Sequence, residues 1–165
     1  MTWQPGRDRI ATLIEAAELQ RVTADADIAR LLLDDAGRHL ATAASGLSSA
    51  DLSGAYQLAY DALRKSAASL LEAQGLRATS RGGHIAIQEA VQAQFGSTVG
   101  AFRSFGRIRR ARNNFEYPST REPGPSPDDV RDAITTATQA REAAVTILEQ
   151  ELLTQWIPSL QGPGR

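Results

Sequence analysis

The chain has no cysteine. That excludes disulfides, thiolate zinc sites, iron–sulfur clusters and cysteine nucleophiles. It has two histidines, His39 and His84, too few for most imidazole metal sites, so neither a metal nor a cofactor is expected. Aromatic residues are scarce, at 5%, and no segment alternates apolar and polar residues as a half-buried strand does. No apolar run approaches the roughly 18–20 residues a membrane span needs. The first residues, Met1 to Arg9, contain no apolar core of the signal-peptide kind. A cytoplasmic location with no membrane partner is the expectation.

What the chain does have is alanine, 28 of 165 residues, and arginine, 17 against the single Lys65. Alanine heads the helix-propensity scale. With 42% hydrophobic and 22% charged residues the composition is that of an ordinary core-forming domain. All-α is the predicted class. One helical domain over residues 1–157 is expected, then a flexible C-terminal tail over 158–165. The net charge of −1 is unevenly spread: −3 over residues 1–74, +6 over 75–115 and −4 over 116–165. A basic middle between acidic flanks points to an anionic partner.

Periodicity and capping residues predict five to six helices. Asp8 is expected to cap the first, with Ile10, Leu13 and Ile14 inward. Thr23 opens a second, with Asp25 and Asp27 in its first turn where negative charge suits the helix dipole, and Gly46 ends it. Ser48 or Ser49 caps a third, which stops at Gly75. Residues 76–83 read as a polar loop and a fourth helix covers His84 to Phe95. A fifth, capped by Ser97 or Thr98, continues unbroken to Phe115. Four prolines make 118–127 a loop. Ser126-Pro127-Asp128-Asp129 then starts a last helix, expected to reach Trp156. Asp25-x-Asp27 resembles a metal-binding acid pair of nucleotidyltransferases but lacks the preceding Gly-Ser turn, so it reads as a helix start. Gly96 to Gly100 lacks the lysine of a phosphate-binding loop and reads as a cap.

The informative segment runs from Ala101 to Pro118. On a continuous helix Arg103, Arg107 and Arg110 fall within about 60° of each other. Ala101, Phe105, Ile108 and Phe115 take the opposite face, and Arg112 falls among them. A guanidinium there needs a partner or a polar cleft. Glu116, one turn on, offers a simple salt bridge, which accounts for Glu116 better than for the apolar setting of Arg112.

Arg112-Asn113-x-x-Glu116-Tyr117 near the end of a helix resembles the signature of the HEPN superfamily. Ala55 to Ala67 resembles that family's first long core helix, and the order of elements over residues 25–155 is similar to that of HEPN proteins of the actinobacterial type. The resemblance implies an antiparallel helical bundle that forms a homodimer, with the motif helices of two subunits lining one cleft. In active members an Arg and a His separated by four to six residues cleave RNA without metal. Such cleavage needs a base for the 2′-hydroxyl, a cation for the phosphate and a proton donor for the leaving oxygen. Carried over, Arg112 holds the phosphate, Glu116 and Tyr117 stand nearby as catalytic candidates, and Asn113 positions. Arg103, Arg107, Arg109 and Arg110 attract the backbone, and Tyr60 borders the cleft and stacks on a base. Tyr117 stands where active members carry His, and a phenol with pKa near 10 is a poor base. His84, after Gly82-Gly83, is assigned a cap or loop role.

The expected function is a dimeric RNA-binding module, as an atypical metal-independent endoribonuclease toxin or defence component if active. The alternative is a non-catalytic protein-interaction or nucleotide-binding module. Expected partners are a second copy, RNA or a nucleotide phosphate, and an antitoxin or nucleotidyltransferase.

Overall fold

The computed structural model describes residues 3–159. Most of the expected tail, from 160 on, therefore lies outside the described residues. Seven helices and one two-stranded sheet follow in the order α1 Arg7–Glu15, β1 Leu19–Arg21, α2 Ala26–Ser48, α3 Leu52–Glu72, β2 Leu76–Ala78, α4 Gly83–Phe95, α5 Gly100–Arg103, α6 Phe105–Glu116 and α7 Pro127–Glu149.

Side-chain caps account for three of the seven described helix starts, those of α2, α3 and α7. The Asp25 carboxylate accepts from the amides of Asp27 and Ile28, at 3.0 and 2.9 Å. Ser126 and Asp129 form a reciprocal capping box at α7, with Pro127 in the first turn. Four starts differ from expectation. Asp25, not Thr23, is the N-cap of α2. Val99, not Ser97 or Thr98, precedes α5. Gly6, not Asp8, precedes α1, with φ of 73°. That left-handed conformation suits glycine, and a Cβ there would lie 2.7 Å from the Ala93 carbonyl carbon. Asp51, not Ser48 or Ser49, caps α3 through the Gly54 amide at 3.0 Å. Helix α2 passes Gly46 and ends at Ser48.

Three larger expectations are corrected. The chain does form strands: β1 and β2 pair antiparallel, Leu19 opposite Ala78 and Arg21 opposite Leu76. Three-residue strands are too short to show alternation, and buried Leu19 and Leu76 hold them in place. The fifth helix is not continuous. It breaks at Ser104, which closes α5 and opens α6. On either side of the break Phe102 and Phe105 both point inward, Phe102 near Phe95 and Phe105 edge-on to Tyr60. Finally, α7 stops at Glu149, well short of Trp156. The following segment folds back on the core. Trp156 is buried and its amide donates to the Gln74 carbonyl at 2.8 Å. Gln155 accepts from the Ala24 amide and donates to the Val22 carbonyl.

Helix α3 is the centre, packed against α2, α7, α4 and α6. Its Ala55, Ala59, Ala62 and Ala67 are buried, as are Ala36 and Ala43 of α2 and Ala133, Ala137, Ala140 and Ala144 of α7. Small side chains let these axes approach closely, so the alanines serve packing as well as helix propensity. Several buried polar groups are paired: Ser66 donates back to the Ala62 carbonyl, and the Gln74 and Gln94 amides bond reciprocally at 3.1 and 2.8 Å. Among the described residues, His39 Nδ1 and Trp156 Nε1 are buried without a partner.

Candidate functional site

Helix α6 is pinned by Phe105 and Ile108, both buried, and by Phe115 against Tyr56, edge to face at 4.9 Å. With those residues fixed, Arg112 turns toward α3. Its side chain is 21% exposed. Nε donates to Gln57 Oε1 at 2.7 Å. One terminal nitrogen reaches Glu116 Oε2 at 2.7 Å and Asn113 Oδ1 at 3.1 Å. The guanidinium carbon lies 5.5 Å from the centre of the Tyr60 ring, within cation–π range. Both sequence readings of Arg112 hold at once: it pairs with Glu116 and it lies in a polar cleft. A small cavity of about 120 Å³ opens beside it, lined by Ser53, Tyr56, Gln57, Arg112, Phe115 and Glu116.

The cleft continues past Tyr60. The buried phenol hydroxyl lies 2.9 Å from His84 Nδ1, and burial pushes its pKa up. His84 is held there by the turn before α4. The Thr79 hydroxyl donates to the Ala17 carbonyl at 2.6 Å and accepts from the Gly82 amide at 3.2 Å. A Cβ on Gly82 would lie 2.1 Å from the Glu18 carbonyl oxygen, so glycine allows this close approach. Desolvation lowers the His84 pKa; Arg64, Arg112 and Arg109 push the same way, and Asp61 opposes them. Arg64 forks onto Asp61 at 3.1 and 3.0 Å. Arg109 donates to the neutral Gln88 amide oxygen at 2.7 Å.

The structure therefore gathers Arg112, Asn113, Glu116, Tyr60 and Arg109 from the residues expected at a site. It takes others elsewhere. Arg107 reaches Asp132 on α7 at 2.7 Å, and Arg103 donates to the Gly96 carbonyl at 3.0 Å. The break at Ser104 removes the single helix on which Arg103 and Arg107 would share a face. Arg110 is exposed. Tyr117, the residue after α6, is 80% exposed. Sequence reasoning missed His84, Gln57, Arg64 and Gln88. Gln57 and Arg64 had a signal, since each sits one turn from Tyr60 or Asp61 on α3. His84 had none: its meeting with Tyr60 is a contact between helices.

Among the described residues no group of three or more His, Asp or Glu is placed to hold a metal ion, and no helix is long and apolar enough to cross a membrane. What the cleft offers is a set of fixed donors with excess positive charge, suited to an anion. A mostly helical domain with such a cleft at the end of a motif helix is a definite class. The HEPN domain family model matches residues 29–148, from α2 through α7. The chain belongs to the HEPN family. No curated protein and no solved structure is significantly similar to it.

Proposed function

We propose that this chain is a HEPN-type RNA-binding module in which Arg112 holds a backbone phosphate. One observation carries the reading. Arg112 is fixed at the mouth of a cavity by Gln57 and Glu116, and Arg109 beside it is held by a neutral amide rather than a carboxylate. With Nε and one terminal nitrogen of Arg112 engaged, its other terminal nitrogen is left to donate to a phosphate. Asn113 completes the expected contacts and Arg110 adds attraction from outside; Tyr60, expected to stack on a base, is instead fully buried and supports the Arg112 guanidinium with its ring. We read the helices as the antiparallel bundle of the family and expect a homodimer whose two Arg112 side chains face one groove. A toxin or defence setting, with an antitoxin or nucleotidyltransferase partner and a cytoplasmic location, belongs to the same proposal. Binding is its core. Cleavage, if present, is metal-independent, and Tyr117 in place of the motif histidine leaves that step without an ordinary base.

The test is fluorescence anisotropy with a labelled single-stranded RNA over a range of salt, beside incubation with cellular RNA. Wild type should bind with an affinity that falls steeply as salt rises. Arg112→Ala should weaken binding at least tenfold while melting cooperatively. Absence of salt-sensitive binding by the wild type would sink the proposal.

A further inference from the structure

His84 lies outside the α6 motif and is the one histidine that contacts the cleft. The state of its imidazole follows from Tyr60. The Tyr60 side chain is fully buried, and among the described residues His84 Nδ1 is the hydroxyl's one hydrogen-bond partner. A buried hydroxyl proton is kept hydrogen-bonded, and burial keeps this phenol protonated. Tyr60 therefore donates and Nδ1 accepts. A neutral imidazole that accepts at Nδ1 carries its proton on Nε2. The ring stays neutral near pH 7 because burial and then Arg64 lower its pKa, with smaller help from Arg112 and Arg109, and together outweigh Asp61, which raises it. Protonation at Nδ1 would also leave the phenol proton without an acceptor. Nε2 is the ring nitrogen left over once Tyr60 has taken Nδ1, and His84 is exposed as a residue. It lies at the start of α4, which has no side-chain cap and whose N-terminal dipole favours an anion.

We propose that His84 is a phosphate-binding residue of the Arg112 cleft, presenting a fixed Nε2–H donor to a phosphodiester, and that Tyr60 is the positioning residue that sets this tautomer. This rests on the RNA-binding reading above. It also gives the site a direction. A neutral imidazole with its proton on Nε2 has no lone pair there to take a 2′-hydroxyl proton. The histidine nearest Arg112 therefore binds RNA and does not activate it.

The experiment is long-range nitrogen–proton NMR of the histidine rings, with RNA-binding titrations of four proteins. Wild-type His84 should show the Nε2–H tautomer at pH 7.5, and its signals should shift on adding a single-stranded RNA or, separately, inorganic phosphate. His84→Ala should lose roughly three- to tenfold in RNA affinity, the worth of one charge-assisted hydrogen bond at an open site. His84→Gln should keep most of the affinity, because its amide can still accept from Tyr60 and donate to phosphate. Tyr60→Phe should raise the Nδ1–H population and the His84 pKa and weaken binding, with Arg112 still in place. A dominant Nδ1–H tautomer in the wild type would overturn the inference. So would RNA binding that depends on Arg112 but is unchanged in His84→Ala, and that result leaves the RNA reading standing. If the wild type binds no RNA while phosphate still shifts the Nε2–H signal, the RNA reading fails and the donor site stands.

Discussion

Glu116 is a competitor for the ligand that Arg112 is proposed to hold. Its carboxylate lies 2.7 Å from a terminal nitrogen of Arg112, so a phosphate on the same guanidinium would sit roughly 6 Å from that negative charge. At that spacing the repulsion is about 0.7 kcal/mol in water and about 3 kcal/mol at the effective permittivity of a protein surface. Salt at physiological strength trims the upper figure. Glu116→Gln removes the charge and keeps an oxygen that can accept from Arg112. The expected gain is about 1–1.5 kcal/mol in RNA binding, or about five- to tenfold in Kd. The cost in stability is small, about 0.3–0.5 kcal/mol, because the pair is an i,i+4 bridge with the Glu116 side chain 45% exposed. Anisotropy titrations of both proteins against one RNA measure the first quantity, and urea melts measure the second. Unchanged or weaker binding by Glu116→Gln, with the fold intact, would refute the idea that Arg112 and phosphate meet on this face.

Other consequences can be checked by unfolding alone. Phe105→Ala empties a fully buried position against Tyr60 and should cost about 3–5 kcal/mol, whereas Leu31→Ala, 57% exposed on α2, should stay within about 0.5 kcal/mol of wild type. Ser126→Ala removes the capping box of α7 and should cost about 1 kcal/mol in chemical denaturation. The hydrogen bond from Lys65, with help from Arg38, holds the Asp35 carboxyl down at about 2, against an ordinary 3.8. A depressed carboxyl stabilises above its unfolded pKa, so this contribution is full near neutrality and lost as pH falls from about 4 to about 2. The urea midpoint of Asp35→Asn should fall less steeply than that of wild type across that window.

How legible the fold was depends on the range of the interactions that set each element. Signals contained within a few residues read correctly: the Ser126 cap with Pro127 and its first-turn acids, and the proline loop. Ends set by distant partners did not. Gly6 is required by the Ala93 backbone, and the extended segment after α7 is fixed by Gln74, Val22 and Ala24. The same division runs through the site. Arg112 stood out because periodicity placed a charge on an apolar face, and its Glu116 partner lay one turn away. Arg103 and Arg107 were grouped on one continuous helix, which the folded chain interrupts at Ser104.

The sequence by itself determined that this protein is helical, within a few residues where most helices begin, and that Arg112 needs a polar setting, because these follow from propensity and the repeat of one helix about its own axis. The tertiary structure alone decided what that setting is. Periodicity says which side of a helix faces inward and says nothing of which other side it meets. Packing of α3 against α4 and α6 is what sets Tyr60 between Arg112 and His84. It turns a histidine that read as a loop residue into a neutral donor at the cleft.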